Sequence, residues 1–257
     1  MAKKKTKTPS NAAKNVFKRR GPKDPFTSDK ETIHSLGNSH VCLTDSRGYA
    51  VPKNADIREI VLDASEGFIP LWAEGMNLRW RFNERSMRQF EDPLAAKDGI
   101  RALLAEAVNE WKDSAPVKFT ETDDAWDFEV IVRNAEDCDI NGCVLASAFF
   151  PDAGRHDITI YPTMFQQSHD EQVATLAHEI GHVFGLRHFF AKVEEKDYPS
   201  VIFGKHRPFS IMNYGEMSKL TAADRSDLKR LYAKVWSGEL KAIKGTPIVQ
   251  VKPYHMR

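Results

Sequence analysis

One run of eleven residues constrains this chain more than any other feature: His178-Glu179-Ile-Gly-His182-Val-Phe-Gly185-Leu-Arg-His188. His178 and His182 are four residues apart, so on a helix their side chains share one face. If the helix continued, His188 would lie about 15 Å along its axis from His178. Gly185 can adopt the positive φ that ends a helix and turns the chain back. The spacing therefore predicts a helix that stops at Gly185 and returns His188 to the other two histidines.

Three converging imidazoles with an open fourth position are typical of a catalytic zinc site. Glu179 lies one residue round the helix from the histidine face, close enough to reach a metal-bound water without being a ligand itself. The residues between the histidines are apolar or small, as a buried active-site helix requires. We therefore predict that His178, His182 and His188 bind one catalytic Zn²⁺ and that Glu179 is the general base.

The rest of the chain alternates predicted strands and helices. Apolar residues at helical spacing predict a helix over Asp98–Trp111, a second from Asp170 to Gly185, and a third after Thr221, capped by the Thr221 hydroxyl with Asp224 in the first turn. Runs rich in β-branched and aromatic residues predict strands at 78–82, 128–132, 144–149 and 158–161. This order predicts an α/β (α+β) domain, with a mixed twisted sheet covered by an active-site helix, a backing helix and a C-terminal helix.

The histidine motif resembles the extended zinc motif of the metzincin metallopeptidases. Members of that group carry a methionine turn beneath the zinc, and Ser210-Ile-Met212-Asn-Tyr214-Gly215 is similar to it. The segment from Leu220 to Tyr232 resembles the C-terminal helix of matrixins. The resemblance implies that Met212 forms an apolar floor under the metal. It also implies hydrolysis of protein or peptide substrates through a zinc-bound water activated by Glu179.

Tyr214 matches a tyrosine that astacins and serralysins place near the metal as a ligand or hydrogen-bond donor. Typical matrixins lack it, so the chain combines features of two subfamilies. On this resemblance Tyr214 is a candidate catalytic residue. The alternative is an aromatic residue that packs in a turn.

The chain departs from matrixins where they bind a structural zinc and calcium. Ser147 stands in the place of an expected histidine, and His156 with Asp157 is an insufficient ligand set. We therefore expect one catalytic zinc and no structural zinc or calcium. Three further histidines are expected on the surface: His169, His206 and His255.

Charge divides the chain into two parts. Residues 1–23 carry nine lysines or arginines and no acid, which leaves 28 bases against 36 acids elsewhere, a net charge of −8. An acidic body does not suit a basic nucleic-acid-binding domain, so nucleic acid is expected, if at all, only at the tail. The predicted division is a basic disordered tail at 1–28, a lead-in or pro-like segment at 29–70, the catalytic domain at 71–237 and a C-terminal extension at 238–257.

Apolar segments and the family resemblance bear on where in or outside the cell the protein is expected. The longest mainly apolar stretch, residues 143–150, is far shorter than the roughly 20 residues of a membrane helix, so no membrane span is expected. No apolar segment follows the basic start, so a standard secretory signal is not expected. The metzincin resemblance nevertheless implies an extracellular protein. We expect a monomer.

The three cysteines allow more than one interpretation. Cys138 and Cys143 bracket a short loop and could form a disulfide, or they could be two free thiols. In matrixins a pro-segment cysteine can cap the zinc and hold the enzyme latent. Cys42 lies upstream of the predicted catalytic domain, where such a residue would be, although its local sequence departs from the matrixin motif. It is otherwise an ordinary free thiol.

The predicted function is a zinc-dependent endopeptidase. One alternative is a zinc-containing binding module without turnover, which the intact Glu179 disfavours. A second alternative is a protein whose basic tail docks on an anionic partner.

Overall fold

A computed structural model describes residues 15–20, 40–41, 60–63, 67–139, 142–187, 200–203, 211–212, 219–243 and 245–257. The helices are α1 Glu84–Met87, α2 Pro93–Trp111, α3 His169–Val183 and α4 Ala222–Trp236. The strands are β1 His40–Val41, β2 Ile60–Asp63, β3 Ile69–Trp72, β4 Asn77–Phe82, β5 Lys118–Glu121, β6 Phe128–Val132, β7 Cys138–Asp139, β8 Gly142–Val144, β9 Ala146–Ser147, β10 His156–Ile160, β11 Leu186–Arg187, β12 Ser200–Phe203, β13 Ala242–Ile243 and β14 Thr246–Val251.

A five-stranded sheet in the order β5-β4-β6-β10-β9 forms the centre of the fold. The first four strands are parallel, and β9 closes one edge antiparallel to β10. Side chains of β4 and β6 alternate between buried and partly exposed, as a strand with one face in the core requires. The predicted fold class, a mixed sheet covered by helices, is confirmed.

The two long helices α2 and α3 pack against each other in the core. The apolar face of α2, from Ile100 to Trp111, is buried in one cluster with the sheet and with Leu176 and Ile180 of α3. Capping boxes start both α3 and α4: Ser168 pairs with Glu171, and Thr221 pairs with Asp224, as predicted. Within the described residues, no helix is long and apolar enough to cross a bilayer.

The predicted strand at 144–149 is interrupted. Residue Leu145 separates β8 from β9, and its carbonyl oxygen accepts a hydrogen bond from Tyr161 N (2.9 Å). The mainly apolar run gave no sign of this break, because Leu145 at the break is as apolar as its neighbours. β9 belongs to the central sheet, where it is one of the two edge strands, whereas β8 pairs with β1 and β7.

The C-terminal residues are part of the same folded unit. β14 pairs in parallel with β3, and the C-terminal His255 donates its backbone N–H to Asp127 (2.9 Å). The predicted boundary at residue 237 therefore lies inside the folded unit. The prediction of a surface position for His255 is wrong: its side chain is 10% exposed and its Nδ1 lies 2.8 Å from a carboxylate oxygen of the buried Asp127. His169 is exposed, as predicted, and His206 lies outside the described residues.

Part of the basic tail also has a defined place. Arg19 forms an antiparallel bridge with Phe90, and Phe17 stacks on Phe165 with ring centroids 4.4 Å apart. Gly99 on α2 makes room for this contact, because a Cβ there would lie 2.9 Å from the Phe17 ring. The prediction of disorder for 1–28 thus does not hold for residues 15–20; the remainder of that segment lies outside the described residues.

Candidate metal centre

Helix α3 places two histidines side by side. The Nε2 atoms of His178 and His182 lie 3.2 Å apart, one helical turn along the axis. Each Nδ1 lies against a backbone carbonyl oxygen: Ile211 O at 2.6 Å from His178, and Leu186 O at 2.7 Å from His182. A carbonyl oxygen can only accept, so both Nδ1 atoms carry the proton and donate it. Both Nε2 atoms are therefore unprotonated, and they lie 3.2 Å apart.

This geometry fits a zinc ion. Nitrogen ligands lie about 2.0–2.1 Å from zinc, which puts two of them roughly 3.3–3.4 Å apart at a tetrahedral ion. The observed 3.2 Å is close to that separation. Zinc-binding histidines also commonly donate their second ring N–H to a carbonyl, which sets the tautomer and the ring orientation. The two residues thus have both the distance and the support that a zinc site requires.

Glu179 completes the cluster on the same helix. Its carboxylate is 2% exposed, and its ligand atom lies within 4.8 Å of those of both histidines. The three residues are thereby a group that could hold a metal ion. A carboxylate at this position can accept a proton from a water molecule beside the histidines.

Gly181, the residue before His182, packs closely against a methionine and a tryptophan. Met212 is 6% exposed, and a Cβ on Gly181 would come under 3.0 Å from its Sδ. The same hypothetical atom would lie 3.2 Å from the Trp111 ring. The resemblance to the metzincins had implied the position of Met212. It had not indicated Ile211, whose carbonyl orients His178, because a backbone acceptor leaves no mark on the residue type.

The chain leaves α3 as the spacing predicted. The helix ends at Val183, and Gly185 follows with φ +90°, a left-handed conformation that favours glycine. β11 begins directly after it and pairs antiparallel with β2. The turn brings Leu186 O back onto His182, so it supports the second histidine as well as redirecting the chain.

The segment that follows β9 contacts one of the two histidines. Phe150, just beyond β9, contacts His182 edge to face, with ring centroids 5.4 Å apart. Further back along the chain, Cys138 and Cys143 form a disulfide, so the alternative of two free thiols is wrong. This bond joins β7 to β8, and β1 pairs in parallel with β8 on its other side.

Three of the predicted site residues lie outside the described residues: His188, Tyr214 and Cys42. His178, Glu179 and His182 are brought together. Gly185 has φ +90° just after the end of α3, and Met212 Sδ lies against Gly181 of the same helix.

Comparison with known families agrees with this arrangement. The sequence model of the matrixins matches residues 71–233, more than half of the chain. The chain belongs to the matrixin family. It is therefore a zinc metallopeptidase at the level of the family, and the predicted metzincin resemblance is confirmed.

The matrixin domain also resembles solved structures. The structure of myroilysin aligns with 67% of this chain and 98% of its own, at 14% identity and a TM-score of 0.44. Among curated proteins, none matches this matrixin.

Proposed function

We propose that this matrixin is a zinc-dependent endopeptidase in which Glu179 is the general base and acid. The observation that carries the proposal is the pair of Nε2 atoms 3.2 Å apart, both oriented by backbone carbonyls, beside the buried carboxylate of Glu179. A site that bound zinc for structure alone would use four protein ligands and would not need this carboxylate.

His178 and His182 would hold the metal through Nε2, and by the family resemblance His188 would be the third ligand. When bound, zinc supplies Lewis acidity, which acidifies water and polarises a carbonyl oxygen. Glu179 accepts the proton of the attacking water as the new C–O bond forms. It then donates that proton to the amide nitrogen as the C–N bond breaks, so no covalent enzyme intermediate is needed. Tyr214 is proposed to donate a hydrogen bond to the developing oxyanion.

The substrate is proposed to be an extended peptide. β9 is an edge strand of the central sheet, and Phe150, three residues beyond it, contacts His182. A peptide that adds to such an edge gains backbone hydrogen bonds without a defined sequence, which suits cleavage within a protein chain.

The test is hydrolysis of casein or a quenched peptide by the purified chain, with Glu179→Gln as the variant. The amide keeps the shape of the carboxylate but cannot take the proton, so we expect activity to fall by about 10²–10⁴-fold while zinc remains bound. Asp170→Asn is the matched control, since it changes an exposed acid in the first turn of the same helix that is not part of the capping box. A metal chelator should abolish activity, and added zinc should restore it.

A zinc-loaded wild-type protein that cleaves neither substrate would support the alternative of a binding module. Full activity in Glu179→Gln would overturn the mechanism.

We further propose that the segment before the catalytic domain restrains this activity. β1, at residues 40–41, pairs in parallel with Cys143–Val144, immediately before Cys42 in the sequence. The N-terminal segment therefore occupies backbone groups on the strand that leads to the sheet edge.

A sequence-specific protease site placed near residue 50 should raise peptidase activity when it is cut, and so should Cys42→Ala. Thr44→Ala is the control, and equal activity before and after cutting would contradict the proposal.

The disulfide supports a location outside the reducing cytosol, which we also propose. Such bonds form and persist in oxidising compartments. Mass spectrometry of the protein from its natural source, alkylated before reduction, should find Cys138 and Cys143 protected. Alkylated thiols at both positions would contradict the proposal.

A further inference from the structure

Two backbone carbonyls at the end of α3 are satisfied by side chains from distant parts of the chain. Trp72 Nε1 donates to Val183 O at 2.7 Å, and the Tyr232 hydroxyl donates to Phe184 O at 3.0 Å. The last carbonyls of a helix have no partner within the helix itself. Trp72 and Tyr232 therefore supply the hydrogen bonds that water or capping residues would otherwise give to these carbonyls.

Both donors are buried and linked to each other. Trp72 and Tyr232 are each 1% exposed, and the Tyr232 oxygen also accepts from Trp72 N at 3.4 Å. Trp236, one turn further along α4, donates its Nε1 to Trp72 O at 3.0 Å. Burial raises the pKa of Tyr232 above its ordinary value, so its hydroxyl keeps its proton. α4 and β3 are thus joined into one hydrogen-bonded support.

This support lies next to the zinc-binding residues in the sequence. Only Gly185 separates Phe184 from Leu186, whose carbonyl oxygen accepts from His182 Nδ1. Gly185 is also held closely, because a Cβ there would lie 3.0 Å from the Leu71 side chain. A shift of the 183–184 carbonyls would therefore move the carbonyl that orients His182. It would also move the start of the segment that leads to His188.

We infer that Trp72 and Tyr232 are positioning residues for the metal site, and that the C-terminal helix sets the zinc affinity through them. The inference rests on the proposed zinc function. It goes beyond that function because neither residue lies in the zinc motif or the methionine turn. β14 also holds β3 in place. It pairs with the whole of β3, and Val251 O accepts a hydrogen bond from Ala73 N at 2.9 Å.

The decisive variant is Tyr232→Phe in the full chain, which removes one hydroxyl and keeps the ring. We measure the zinc dissociation constant by competition with a chromophoric chelator, at a temperature where the metal-free variant is fully folded. Groups that orient zinc ligands typically change metal affinity by 10–100-fold, so we expect a rise of roughly tenfold, at the lower end. Trp72→Phe removes the other donor and should have a similar effect. The matched control is Tyr161→Phe, which makes the same change at a buried tyrosine in another part of the fold and should leave zinc affinity unaltered.

The absorption spectrum of the cobalt-substituted protein provides a second readout. A role in stability alone would lower the urea midpoint of the metal-free variants and leave the spectrum and the zinc dissociation constant unchanged; that result would overturn the inference. If Tyr232→Phe fails to fold, Trp72→Phe alone decides by the same two measurements. A wild-type chain that does not bind zinc would instead refute the proposed function, so the two failures are distinguishable.

Discussion

Gly181→Ala is the sharpest test of how the floor of the metal site is packed. Gly181 lies in the last turn of α3, and alanine is favoured over glycine within a helix by up to about 1 kcal/mol. Here the added methyl group would come under 3.0 Å from Met212 Sδ and 3.2 Å from the Trp111 ring. Overpacking of a core typically costs about 1–3 kcal/mol. We therefore expect the free energy of unfolding to fall by about 0–2 kcal/mol, because the cost of the clash offsets or exceeds the gain in helix propensity.

The assay is urea unfolding of the metal-free protein, followed by tryptophan fluorescence. The same change in a Met212→Val background should cost less, because valine places no atom where Sδ now lies. The coupling energy of this double-mutant cycle should be about 1–3 kcal/mol. If Gly181→Ala alone raised the free energy of unfolding by about 1 kcal/mol, the packing argument would be refuted, because that is the gain expected at a helix position with room for a methyl group.

Three further predictions concern other parts of the domain. Asp127→Ala should lower the free energy of unfolding by about 1–3 kcal/mol in urea titrations, because it leaves the partly buried backbone N–H groups of Arg79 and His255 without their acceptor. Replacing both Cys138 and Cys143 by serine should cost about 2 kcal/mol by the chain-entropy model for so short a loop, measured against the oxidised wild type. Tyr214→Phe should lower kcat with little change in KM if its hydroxyl acts on the oxyanion, and unchanged kinetics would favour a packing role.

The local features of the site were predictable from sequence, and the long-range ones were not. The histidine spacing, the stop at Gly185 and the cap at Thr221 depend on residues a few positions apart, where helix geometry is decisive. The pairing of β14 with β3 joins segments about 175 positions apart, and hydrophobic periodicity carries no information about partners at that distance.

The same reason explains why the hydrogen bonds of Trp72 and Tyr232 could not be predicted from the sequence. In the sequence they are aromatic residues at core positions, and their hydrogen bonds to Val183 and Phe184 exist only in the folded chain. Likewise, the sequence shows His255 only as a polar residue near the C-terminus, which predicts a surface position. Its partner, Asp127, lies 128 residues earlier.

The bridge between Arg19 and Phe90 has a practical consequence for any shortened version of the protein. Phe17 covers the rings of Phe90 and Phe165, and its own ring lies over Gly99. A chain that began after residue 20 would uncover these aromatic surfaces, and exposed apolar patches promote self-association. Recombinant versions should therefore begin before Asn15, and light scattering of the two lengths would show whether colloidal stability depends on this short piece of tail.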